Sequence, residues 1–183
     1  MSDLAVRAPC ELGPMPQGRA MRTVDEGFVR APIALVFRIV REVELWPAHL
    51  PHYRFVRFRE RASDGGGIVE MAANRPFGAI NWPTWWLSEM QVVGADSETP
   101  AVRFRHIGGI TKGMDVEWRL ETCTGGTNVQ LVHEWDGPRW PLIGVFAATA
   151  VIGPVFVHGI ASRTLGGLAR IAARDARQHG AVA

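Results

Sequence analysis

The chain has 183 residues, 47% hydrophobic and 21% charged, which suits one domain with a single core and leaves little for a second. Its formal net charge is +2 and its 20 basic residues are dispersed, so nothing global calls for nucleic acid or an anionic membrane. The two cysteines, Cys10 and Cys123, give no disulfide framework and no metal-ligand spacing; a reducing, cytoplasmic compartment fits, and no metal or cofactor is expected.

Residues 1–20 carry Pro and Gly without periodicity and lack a basic n-region followed by an apolar stretch. They are expected to be a flexible tail rather than a signal peptide, with a single domain over 21–183. A strand is expected over 21–32, ending at Ala31-Pro32, and Pro32 then opens a helix. Ile33, Val36, Phe37 and Val40 recur at helical spacing over 32–42. The next stretch, VELWPAHL, reads as a second short helix broken by Pro47.

Six strand-like runs follow: 52–62, 67–75, 84–93, 101–109, 114–123 and 128–136, separated by Gly-rich or Pro-bounded turns. Three of them alternate cleanly. Met114, Val116, Trp118 and Leu120 share one face, with Asp115, Glu117 and Arg119 on the other. Val129, Leu131, His133 and Trp135 share a face, as do Val102, Phe104 and His106. Such alternation is that of an antiparallel sheet with one dry and one wet face. Glu117 and Glu134 fall on the wet face and are set aside as acid/base candidates.

Residues 140–162 contain no Asp, Glu, Lys or Arg, but five Pro and Gly residues interrupt them and His158 sits inside. They read as an apolar loop plus a buried helix start rather than a bilayer span, leaving open a peripheral membrane contact. From Gly153-Pro154 to about residue 178 a helix of about 25 residues, roughly 37 Å, is expected. Its apolar stripe is Val157, Ile160, Ala161, Leu165, Leu168 and Ile171. Strand, two short helices, six strands and one long helix make an α+β domain, with seven antiparallel strands curved around the last helix.

This order resembles the helix-grip fold of the START-like (SRPBCC) superfamily, and locally the polyketide aromatase/cyclases. APIALVFRIVREVELWPAHLPHY is similar to the family's opening, and MDVEWRLETCTGGTNVQLVHEWD to its last two strands and their Gly-Gly-Thr turn; the resemblance covers roughly residues 22–178. It implies a hydrophobic ligand held between sheet and helix, with Trp46 and Tyr53 at the pocket wall. The activities it implies are polyketide cyclisation, aromatisation or dehydration, or lipid or quinone carriage.

Trp85 and Trp86 are neighbours on one strand and face opposite sides. Parity with Ser88 and Met90 puts Trp86 inward and leaves Trp85 outside, where it points to a partner or homodimer contact. Arg75 follows Val69, Met71 and Ala73 at period two, so it is read as an inward arginine able to clamp a carboxylate, enolate or phosphate. His106 and His133 are inward on strands separated by one other, ~10 Å apart across two strand spacings, which disfavours a shared metal. The ligand-contacting set is thus Trp46, Tyr53, Met71, Arg75, Trp86, Met90, Phe104, His106, Trp118 and His133. Were the protein an enzyme, Arg75, Tyr53, His106 and His133 would orient the substrate and move protons. Met90 stands where the resembled enzymes place an arginine, and a thioether donates no strong hydrogen bond. That residue shifts the expectation from catalysis toward binding.

Overall fold

Alternating apolar and polar side chains over residues 21–29 and 53–135 produce one large sheet, described here from a computed structural model. The description covers residues 6–77, 80–138 and 157–178, without the side chains of residues 75–77 and 80–82. Strand β1 (Val6–Arg7) and β2 (Met21–Val29) precede helices α1 (Ile33–Arg41) and α2 (Trp46–His49), which are linked by a 3-10 turn at Val43–Leu45. Then come β3 (Tyr53–Ala62), β4 (Gly67–Phe77), β5 (Ile80–Val93), β6 (Ala101–Gly109), β7 (Asp115–Cys123) and β8 (Gly126–Trp135). Helix α3 (His158–Gln178) closes the described chain.

The strand order is β1-β3-β4-β5-β6-β7-β8-β2, so β2 crosses the molecule to pair with β8. All neighbours are antiparallel except β1 with β3, which run parallel. The expected helix-grip architecture is therefore present, with eight strands rather than seven among the described residues.

The concave face is mainly apolar, with His106 and His133 as buried polar exceptions. Val36, Phe37 and Val40 of α1 and Ile160, Ala161, Leu165 and Leu168 of α3 are buried in one core with Val69, Val102, Trp118, Leu120, Val129 and Leu131 of the sheet. Fully burying each such large side chain contributes about 1.5–3 kcal/mol. Pro32 occupies the N-cap of α1 in an extended conformation, where its missing N–H is no loss. Contrary to expectation, Pro47 does not break the second helix. It sits in the first turn of α2, again where a donor is not needed.

The convex face departs from expectation. Residues 6–20 do not hang free: Val6 and Arg7 pair with Arg61 and Ala62, and Cys10 and Leu12 are buried with Ile68 against Leu87 and Ile107. Beyond them the backbone lies across the sheet as a strap, its polar groups met by outward side chains. Arg103 donates to the Gly13 carbonyl, Arg105 to the Leu12 carbonyl at 3.0 Å, and the Arg19 amide to Glu134 at 3.3 Å. Arg105 also pairs with Asp115 at 2.8 Å, and Arg19 approaches the same carboxylate at 3.6 Å. Asp115 and Glu134 are outward by parity, yet each is only 1% exposed. The expected wet face is dry where the strap covers it, because outward side chains of the sheet bond the strap's carbonyls and amides, while Asp115 Oδ2 and Arg103 Nε stay without a hydrogen bond among the described residues.

Candidate functional site

An aromatic chain runs across the concave face under α3. Trp118 meets Trp46 edge-on at 5.8 Å between ring centroids, Trp46 meets Tyr53 at 5.4 Å, and Tyr53 lies 6.3 Å from Trp86. Trp86 in turn stacks on His106 at 5.9 Å with 25° between the planes. Offset or edge contacts of this kind suit the ring quadrupoles. Trp46 is anchored at its polar end, where Nε1 donates to the Ile39 carbonyl at 3.1 Å.

The Trp86–His106 stack depends on a local irregularity. The β5–β6 register shifts between Leu87 and Ser88, so Trp86 faces Gly109 while Ser88 faces His106. Gly109 has φ +86, and a Cβ there would lie 2.4 Å from the Trp85 carbonyl oxygen. Only glycine lets the two backbones approach while adopting that conformation.

Between these rings and α3 lies a cavity of about 60 Å³. Trp46, Tyr53, Met71, Trp86, Phe104, His106, Trp118 and His133, all expected to face a ligand, line it. Helix α3 and the residue before it supply the opposite wall through Val157, Ile160, Ala161 and Thr164. Met90 is inward and fully buried, but it packs in the core and is not on this wall. The backbone of Arg75 pairs with Trp82 on β4–β5, but both side chains lie outside the described residues, as do residues 140–156 of the uncharged segment. Trp85 is outward as expected and 52% exposed.

The polar groups of the cavity are each held. His106 Nδ1 lies 2.7 Å from Thr111 Oγ1, and His133 Nδ1 lies 3.2 Å from Thr23 Oγ1 on the paired strand. The strand β7 stands between the two histidines, as the parity argument required. Thr164 Oγ1 forms a bridge: it lies 3.4 Å from the Tyr53 hydroxyl and 3.0 Å from His52 Nε2. Burial, and secondarily the charge of Arg163, hold His52 below the ordinary imidazole range. His52 is therefore neutral near pH 7, able to exchange donor and acceptor roles along the His52–Thr164–Tyr53 line. Thr111, Thr164 and His52 are absent from the set expected on sequence grounds. Thr164 lies one turn beyond Ile160 and Ala161 on the apolar stripe of α3, so helical periodicity holds the clue. Thr111 sits in the β6–β7 turn, and only its contact with His106 reveals it.

A further contact fixes α3 against the sheet. His158 Nδ1 lies 2.6 Å from Asp25 Oδ1, joining the helix's first residue to β2. Burial pushes the Asp25 carboxyl above the usual range, with His158 acting in the opposite direction. Among the described residues there is no cluster of three or more His, Cys, Asp or Glu placed to hold a metal.

A long curved sheet gripping a C-terminal helix over an aromatic cavity defines the helix-grip class of hydrophobic-ligand folds. Within that class, the family model described as "Polyketide cyclase / dehydrase and lipid transport" matches residues 29–155, and the chain belongs to this family. Similar solved structures include a Thermus thermophilus protein: 17% identity, TM-score 0.67, covering 82% of this chain and 95% of that one. The Zhui aromatase/cyclase of Streptomyces sp. R1128 is 16% identical at TM-score 0.66, covering 87% of this chain and 98% of that one. A START superfamily protein of Mycobacterium smegmatis is 13% identical at TM-score 0.59, covering 86% and 97%. At these identities the likeness is one of fold. No curated protein matches the chain by sequence. Among the described residues, no helix is long and apolar enough to cross a membrane.

Proposed function

We propose that this protein binds a hydrophobic small molecule, aromatic or isoprenoid-like, between the sheet and α3. The observation that carries this reading is the cavity wall: mostly aromatic and aliphatic side chains, whose few polar side chains are each held in place by a partner within the protein. Such a lining rewards apolar surface and leaves a small number of groups to orient it. Trp86 offers a face for stacking, and Tyr53, His106 and His133 offer hydrogen bonds at three sides. The space present, about 60 Å³, holds only a few water-sized groups. Ligand pockets are typically ~300–1,000 Å³, so binding requires the aromatic side chains or α3 to move apart.

A second reading, polyketide aromatase/cyclase, draws on the family to which the chain belongs and on the His52–Thr164–Tyr53 line. A neutral imidazole coupled through a hydroxyl to a phenol is able to pass a proton to or from a bound carbonyl. Against it stands Met90, apolar and fully buried at the position where the resembled enzymes carry an arginine.

The first test is mass spectrometry of ligand extracted from the purified protein, followed by titration of that ligand against Trp86→Ala. A carried apolar compound whose affinity drops roughly tenfold on losing the indole supports binding. Unchanged affinity removes the cavity from the account. For the second reading, a reactive poly-β-ketone is incubated with wild type and Tyr53→Phe; an identical product distribution with and without protein sinks the cyclase.

A further inference from the structure

Outside the cavity, on the other side of the His52–Thr164 wall, α3 presents arginines along one line. Arg163, Arg170, Arg174 and Arg177 are spaced seven, four and three residues apart, and all four are exposed. The first two border a groove whose remaining lining is His49, Leu50, Pro51, His52 and Ser162, with no acidic side chain. Arg174 differs, since it faces Asp175 at 3.3 Å. Neither Arg163 nor Arg170 has an ion pair among the described residues.

The turn between these two arginines is Gly166-Gly167. A Cβ at Gly167 would lie 2.2 Å from Leu50 Cδ2, so the helix is pressed onto the α2–β3 turn there. A Cβ at Gly166 would lie 3.5 Å from Arg170 Nη1, and one at Gly167 3.9 Å from Arg170 Nη2. The Arg170 guanidinium therefore leans back over Gly166, one turn toward Arg163, as long helical side chains do. Two planar, permanently charged forks thus line one groove, beside His49 and His52. Guanidinium pairs are suited to the oxygens of a carboxylate, sulfonate or phosphate. Arg163 also acts by its charge on His52, placing the groove electrostatically next to the ring that bonds Thr164 on the cavity wall.

We infer that Arg163 and Arg170 hold the anionic head of an amphipathic ligand whose apolar body occupies the cavity, the His52–Thr164 contact forming the threshold between them. This rests on the binding reading above and narrows its ligand class to organic anions.

The test uses two fluorescent probes that share an anilinonaphthalene body: 8-anilinonaphthalene-1-sulfonate, anionic, and N-phenyl-1-naphthylamine, neutral. Both are titrated against the full chain, against Arg163→Gln/Arg170→Gln, and against Arg54→Gln/Arg57→Gln as a charge-matched control on β3. The sulfonate is expected to bind wild type about tenfold more tightly than the amine. The α3 double variant should lose that margin while holding the amine within about twofold, and the β3 variant should keep it. If the amine binds as tightly as the sulfonate, or the preference survives the α3 variant, the head-group site is overturned and the cavity reading stands. If neither probe binds, the cavity reading fails, and inorganic phosphate decides the groove by shifts of the Arg163 and Arg170 side-chain NMR signals: shifts support it and their absence overturns it. Flotation with phosphatidylglycerol vesicles separates a lipid surface from a single ligand. A variant impaired in flotation with its sulfonate affinity unchanged assigns the arginines to a membrane and overturns the proposal.

Discussion

The two faces of this sheet carry the same alternation of residues and are buried by different means. On the concave face, Trp86, Trp118 and Leu131 are covered by helices, and burial of apolar area is the main account. On the convex face, Ile68 and the partly buried Leu87 and Ile107 are covered by a strap of irregular backbone. That cover holds because Arg103, Arg105, Asp115 and Glu134 bond it. The comparison teaches that a polar residue at an outward position is solvated only if nothing lies over it. A segment with no periodicity of its own is able to dock when charged partners are waiting for its carbonyls and amides.

The largest expected break is on the concave side. Trp118→Ala removes a buried indole from the edge contact with Trp46 and should cost about 3–5 kcal/mol, read as a lower urea midpoint with an unchanged m-value. A collapse of the neighbouring side chains into the gap would show as a loss below that range.

On the convex side Asp115→Ala leaves Arg105 and Arg19 facing an emptied, buried site and should cost about 2–3 kcal/mol, below the ~3–5 expected of a fully buried pair because both arginines are about one-third exposed. Glu60→Ala breaks only the exposed pair with Arg7 and should cost well under ~1 kcal/mol. Equal effects of the two variants would mean that the strap does not seal the convex face.

The smallest effect concerns the seam between β2 and α3. The folded Asp25 carboxyl is held above its unfolded range, so its contribution favours the fold below about pH 3.9 and is lost as pH rises through the folded value. Asp25→Asn should remove that loss. Its thermal midpoint, relative to wild type, should rise as pH increases above about 4. A difference that stays constant as pH rises above about 4 would show that burial at Asp25 does not govern its titration.

Much of the cavity is legible in the chain itself. Period-two alternation places Trp86, Phe104, His106, Trp118 and His133 on one face, and helical spacing places Val157, Ile160 and Ala161 opposite them. The division of the sheet into strands and turns also follows from its Gly-rich punctuation. Three matters do not follow. Met90 shares the inward parity of Trp86 but stands in the core, since parity gives a face and not a position under the helix. Thr111 enters the cavity only because a turn folds it onto His106. The strap reads as a tail because its order comes from partners about 55 to 117 residues distant in sequence.

The sequence by itself determined the order of elements, the two faces of each strand and the family resemblance, because these are set by the local period of apolar residues and by turn chemistry. The tertiary structure alone decided which inward residues bound the cavity, that the outward acids Asp115 and Glu134 are buried, and that Arg163 and Arg170 line one groove with His52. Each of these depends on what lies across from a residue in space, and pairing between distant segments leaves no local trace in the chain.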